Sequence, residues 1–130
     1  MTLFWIAVAA AAGALTRYGL SGLVHTIAGT RLPRGTLAVN LLGCFLLGLA
    51  TEVSGRTGWL PPEARIGITI GFLGSFTTFS TFGVETFRAI ESADWVGGLS
   101  NILLNVVGGL LFVLFGILAA RWILYLRGAL

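Results

Sequence analysis

Gly71-Phe72-Leu73-Gly74-Ser75-Phe76-Thr77-Thr78-Phe79-Ser80-Thr81-Phe82-Gly83 lies in the middle of an apolar segment long enough to cross a bilayer. Within it stand five hydroxyl side chains, three glycines and four phenylalanines, where a lipid-facing helix would carry Leu and Val. Hydroxyls and loosened backbone are tolerated at membrane depth only where protein or an aqueous pathway satisfies them. The stretch therefore reads as the lining of a pathway, and the surrounding chain as its membrane frame.

Composition agrees. The 130 residues fit one domain, residues 1–130, and an apolar share of 56% with a mean hydropathy of +0.95 makes lipid the solvent. Lysine is absent, and a net charge of +3 spread over the chain gives no nucleic-acid footprint. With Cys44 the only cysteine and a single histidine, neither an internal disulfide nor a zinc cluster can be assembled. No Lys or Arg precedes the first apolar run, so that run reads as a retained transmembrane helix rather than a signal peptide.

Four apolar runs, residues 3–24, 35–53, 64–90 and 96–126, each reach the ~20 residues of a spanning helix. Pro33 and Pro61-Pro62 suit helix starts, and Trp5, Trp59, Trp95 and Trp122 fall near helix ends, as an interfacial belt requires. The expected class is an all-α, multi-pass membrane protein. The third run would be about 40 Å long as one straight helix against a ~30 Å hydrocarbon core. Its glycines and hydroxyls predict a break near its middle, where freed carbonyls and N–H groups can hold ions.

Orientation is poised. One face carries Arg56, Arg65, Arg121 and Arg127; the other carries Arg31, Arg34 and Arg88, with Arg17 if it snorkels that way. This is no usable positive-inside bias, and insertion both ways would allow an antiparallel homodimer.

Each of the four runs also brings a strongly polar residue to the same half of the bilayer: Arg17, Asn40, Glu85, and Asn101 with Asn105. Plain alternatives stand beside a functional role. Arg17 can snorkel to headgroups, the asparagines can tie helices together, hydroxyls can bond back to their own helix, and an aromatic stripe can be packing. As a set, amide hydrogens, hydroxyls and Arg are donors able to replace an anion's hydration shell, and Phe ring edges are electropositive. Weak serial sites of this kind favour anion passage.

Together, Gly13-Ala14-Leu15-Thr16-Arg17, Gly35-Thr36-Leu37-Ala38-Val39-Asn40-Leu41-Leu42-Gly43 and Gly74-Ser75-Phe76-Thr77-Thr78-Phe79-Ser80-Thr81-Phe82 resemble the Fluc (CrcB-like) family of fluoride channels over essentially the whole chain. The resemblance implies an antiparallel, dual-topology homodimer of four-helix subunits with two fluoride pores in the cell (inner) membrane. Asn40 would be the pore asparagine, Phe79 and Phe82 the aromatic box, Ser80 and Thr81 pore hydroxyls, and Arg17 a shaper of the vestibule. Gly74 and Thr77 would give backbone carbonyls to a structural Na+ at the dimer centre. In the fourth helix, where the family can have hydroxyl residues along the pore, Asn101 and Asn105 would take the pore-side positions, and Glu85 would lie at the vestibule.

The function so implied is passive, fluoride-selective efflux that protects the cell from fluoride. The rival of similar size and topology, a small multidrug-resistance-like cation exporter, relies on a carboxylate in its first helix, and residues 3–24 contain none. A structural assembly factor would leave the midplane hydroxyls and Asn40 unexplained. An enzyme is the weakest reading, because no nucleophile–base pair, metal cluster or phosphate loop is present in the sequence.

Overall fold

The computed structural model describes residues 1–28 and 33–128, and Arg31 lies outside them. Among the described residues every regular element is helical. The order is α1 (Thr2–Ala28), α2 (Arg34–Arg56), α3 (Pro62–Ile66), a π-helical segment (Gly67–Leu73), α4 (Gly74–Phe76), α5 (Phe79–Glu91) and α6 (Trp95–Leu126). Four stretches, Thr2–Ile27, Arg34–Arg56, Pro62–Glu91 and Trp95–Leu126, are long and apolar enough to cross a membrane.

Local chemistry sets the ends. Pro61 precedes α3 and Pro62 opens it, where a missing N–H costs nothing. Asp94 Oδ1 accepts from Gly97 N at 2.9 Å and caps α6, after a turn in which Ala93 has φ 63°. α1 runs beyond the apolar run to Ala28, taking in His25, so the first connection is shorter than the polar stretch from His25 to Arg34.

Small residues let the long helices meet. A Cβ on Gly116 of α6 would overlap the Phe45 carbonyl of α2, and one on Gly13 of α1 would overlap the Phe72 carbonyl. Such close backbone approach is how helices associate where lipid removes the hydrophobic drive. The core proper is thin. Val39, Leu73, Phe76, Phe82, Ala120 and Leu124 are buried, while large apolar side chains along α1 and α6 face outward. For a chain in lipid that exposure carries no solvation penalty.

The third span is not uniform. From Gly67 to Leu73 its hydrogen bonds widen to the i→i+5 pattern, and α4 ends at Phe76. Thr77 (φ −86°, ψ 161°) and Thr78 (φ −150°, ψ 112°) are extended, and helix resumes at Phe79. Gly67, Gly71 and Gly74 all lie within helical backbone, so the glycines are not where the dihedrals change.

Candidate functional site

Asn40 explains the change of direction. Its Oδ1 accepts from Thr78 N at 2.8 Å, and its Nδ2 donates back to Thr78 O at 3.1 Å. The side-chain amide thus pairs with one backbone residue as a neighbouring strand would. The same Nδ2 donates to Asn105 Oδ1 at 2.9 Å, so both Asn40 donor hydrogens are engaged within the subunit.

Two carbonyls lose their helical partners as a result. In a continuous helix Gly74 O would receive Thr78 N–H, which goes instead to Asn40. Thr77 O would receive Thr81 N–H, which goes to Thr78 Oγ1 at 3.2 Å. That second bond is also the N-cap of α5. The Thr78 hydroxyl lies 2.8 Å from Thr81 Oγ1 and 3.4 Å from Ser80 Oγ. Hydroxyls and the positive end of α5 therefore converge on the Thr77–Thr78 linker.

From Asn40 a chain of amides runs through the helices. Asn105 Nδ2 donates to Asn101 Oδ1 at 2.9 Å, and Asn101 Nδ2 donates to Thr86 Oγ1 at 2.9 Å. Thr86 Oγ1 donates to Phe82 O at 2.8 Å. Asn101 and Asn105 thus hydrogen-bond α6 to α5 and α2, and Asn101 is buried. Thr86 closes the chain without having been singled out in the sequence. Its place one turn after Phe82 was the available clue.

Two cavities flank the linker. One, of about 270 Å³, is bounded by Asn40, Gly74, Thr77, Phe79, Phe82 and Asn105, among others. The other, of about 510 Å³, is bounded by Arg17, Ser21, His25, Thr36, Thr78 and Thr81, among others. Thr78 lines both and is the wall between them. The Phe79 and Phe82 rings stand 5.4 Å apart, tilted by 58°. Phe82 is 7% exposed and Phe79 81% exposed, so the first ring is fixed within the subunit and the second projects from it. Ser80 is exposed at the start of α5.

Glu85 is held from α2, where Thr36 Oγ1 donates to its Oε1 at 2.7 Å. Thr36 is a partner that the sequence reading passed over. No group of three or more His, Cys, Asp or Glu side chains able to hold a metal occurs among the described residues.

Comparison with known proteins places this geometry in context. A family profile described as "CrcB-like protein, Camphor Resistance (CrcB)" matches residues 4–117. A protein of Geobacter sp. named fluoride-specific ion channel FluC is 51% identical over 119 residues, covering 92% of this chain and 96% of the relative. A relative of the same name from Syntrophotalea carbinolica is 49% identical over 121 residues (93% and 98% covered). One from Sorangium cellulosum is 45% identical over 118 residues (91% and 93% covered).

Proposed function

The chain belongs to the CrcB-like protein family, and from that premise we propose that it is a fluoride-specific channel working by passive electrodiffusion. The relatives' shared name and near-complete coverage carry the assignment of ion. The observation in this chain that carries the pathway is the Asn40–Thr78 pair set beside Phe79 and Phe82 on one cavity wall. The cation-exporter reading falls away, since α1 contains no carboxylate.

In acid surroundings fluoride enters cells as neutral HF and is trapped inside as the anion. An interior-negative potential then favours its exit by about 2.3 kcal/mol per 100 mV, so no coupling ion is needed. In this mechanism Arg17 draws the anion into the larger cavity, and Ser80 and Thr81 offer hydroxyl donors at the start of α5. Asn40, linked to Asn105 and through it to Asn101, exchanges one internal hydrogen bond for one to the ion. The Phe79 and Phe82 ring edges receive fluoride without supplying a full charge that would hold it. Glu85, anchored by Thr36, sits at the vestibule.

The working unit is an antiparallel homodimer with the third span discontinuous at mid-membrane, inserted in the cell (inner) membrane. Support comes from the balanced arginines, from the largely exposed Phe79 ring, and from the extended Thr77–Thr78 backbone. The carbonyls of Gly74 and Thr77, released by the rerouting of their helical donors, fit a structural Na+ shared between two subunits. Bound there, the ion would supply fixed positive charge and would help to hold the two subunits together.

Purified protein in liposomes, loaded with fluoride or with chloride and made permeable to the counter-cation, tests the function. Fluoride efflux far faster than chloride efflux is expected. Equal rates, or no fluoride release, overturn the reading.

A further inference from the structure

Two buried side-chain polar atoms, His25 Nδ1 and Glu85 Oε2, have no hydrogen-bond partner among the described residues. His25 lines the larger cavity, and so does Thr36, the residue that holds Glu85. Thr36 Oγ1 holds the other Glu85 oxygen at 2.7 Å. Gly35, the residue before Thr36, packs so tightly on α1 that a Cβ there would lie 2.9 Å from His25 Nε2.

Leaving a buried nitrogen and a buried carboxylate oxygen both unpaired is costly, and unpaired groups in native proteins call for an explanation. One proton satisfies both. An imidazolium has a donor at each nitrogen, and a carboxylate oxygen accepts it directly or through one water. We propose that His25 and Glu85 form a proton-binding site in the vestibule wall, and that its occupancy sets the charge fluoride meets on entering the pathway. The functional half of this rests on the fluoride-channel reading above.

The surrounding charges make the proton consequential. Arg17 and Tyr18 of α1 line the same cavity, and Arg34 opens α2 one residue before Gly35. On α5, Arg88 is exposed three residues beyond Glu85. The group that α6 brings to this end, Asn101, is uncharged and bonded to Thr86. With the imidazole neutral, Arg17 and Glu85 oppose one another. A proton adds one positive charge at the mouth, and a low-dielectric cleft of one sign raises the local concentration of the opposite ion.

The test uses the assembled channel in planar bilayers, where electrical current reports the anion and excludes neutral HF. Lowering the pH through the range in which imidazoles titrate should raise fluoride current roughly three-fold. His25→Gln keeps a hydrogen-bonding side chain but takes up no proton. Its current should be independent of pH and equal to that of the parent at the alkaline end. A flat parent profile, or an unchanged slope in His25→Gln, overturns the proposal.

A second readout does not depend on conduction. Because the chain has one histidine, nitrogen NMR of labelled protein follows that imidazole alone. Glu85→Gln should displace the midpoint of its titration, and an unchanged midpoint overturns the pairing. Absence of fluoride current at every pH, with the imidazole titration and its response to Glu85→Gln intact, would overturn the channel reading and leave the proton site standing.

Discussion

Asn40 of α2 and Thr78, in the extended link between α4 and α5, exchange two hydrogen bonds at 2.8 and 3.1 Å, one in each direction. The pair couples the direction of the chain to the chemistry of the cavity. The residue that withdraws Thr78 from the helical ladder also lines the smaller cavity.

Asn40→Asp keeps the shape and the acceptor for Thr78 N–H, but turns the Nδ2 donor into an oxygen facing Thr78 O and Asn105 Oδ1. Two hydrogen bonds become repulsions, and an anion stands on the fluoride path. Fluoride efflux should fall at least about a hundred-fold, with a stability loss of about 1–3 kcal/mol. Liposome flux and thermal unfolding in detergent measure the two effects. Parent-like flux would remove Asn40 from the pathway.

Replacing either phenylalanine with Ile keeps apolar bulk and removes the electropositive ring edge. Both variants should lose most fluoride flux. Only Phe82→Ile should also destabilise the isolated subunit, by about 1–3 kcal/mol, because that ring is buried while Phe79 is exposed. Normal conduction in both would make the two rings packing.

Thr78→Val leaves the extended backbone available but deletes the cap of α5 and the partner of the Thr81 hydroxyl. A loss of about 1 kcal/mol is expected, most of it recovered in Thr78→Ser. Thermal unfolding of the two variants decides it. A parent-like Thr78→Val, or a Thr78→Ser that loses more than Thr78→Val, would show that the hydroxyl cap does not carry the effect.

Replacing Na+ by a large organic cation should weaken subunit association if the Gly74 and Thr77 carbonyls hold the ion. A ligand bound only to the assembled form stabilises it by RT ln(1 + [L]/Kd), so dissociation should become easier as sodium falls. Sizing in detergent across a sodium series reads this directly, and a constant dimer fraction would dismiss the site.

The fold was legible because lipid imposes long apolar runs, and the structure has four stretches long and apolar enough to cross a membrane. The polar set was legible one residue at a time, since hydroxyls and amides are conspicuous among Leu and Val. Their partnerships were not. Thr36 with Glu85 and Asn101 with Thr86 depend on which helix faces which, and residues 49 and 15 positions apart carry no local mark of meeting. Gly71, Gly74 and the hydroxyl cluster together predict a break near the middle of the run, and the extended residues are two of those hydroxyls, Thr77 and Thr78, where an outside amide competes for the N–H.

α6 has a consequence for the choice of membrane. Trp95 and Trp122 mark its two ends, about 40 Å apart along the axis at 1.5 Å per residue. That distance approaches the separation of the two headgroup regions, about 40–45 Å, which leaves this helix little freedom to lean. In a thinner bilayer the rings would be forced out of register with the interfaces unless α6 tilted. Tilt would slide Gly116 along the Phe45 backbone it now touches. Hydrophobic mismatch is thereby transmitted to α2, the helix that carries Asn40, so acyl-chain length becomes a control on the pathway alongside the ion gradient.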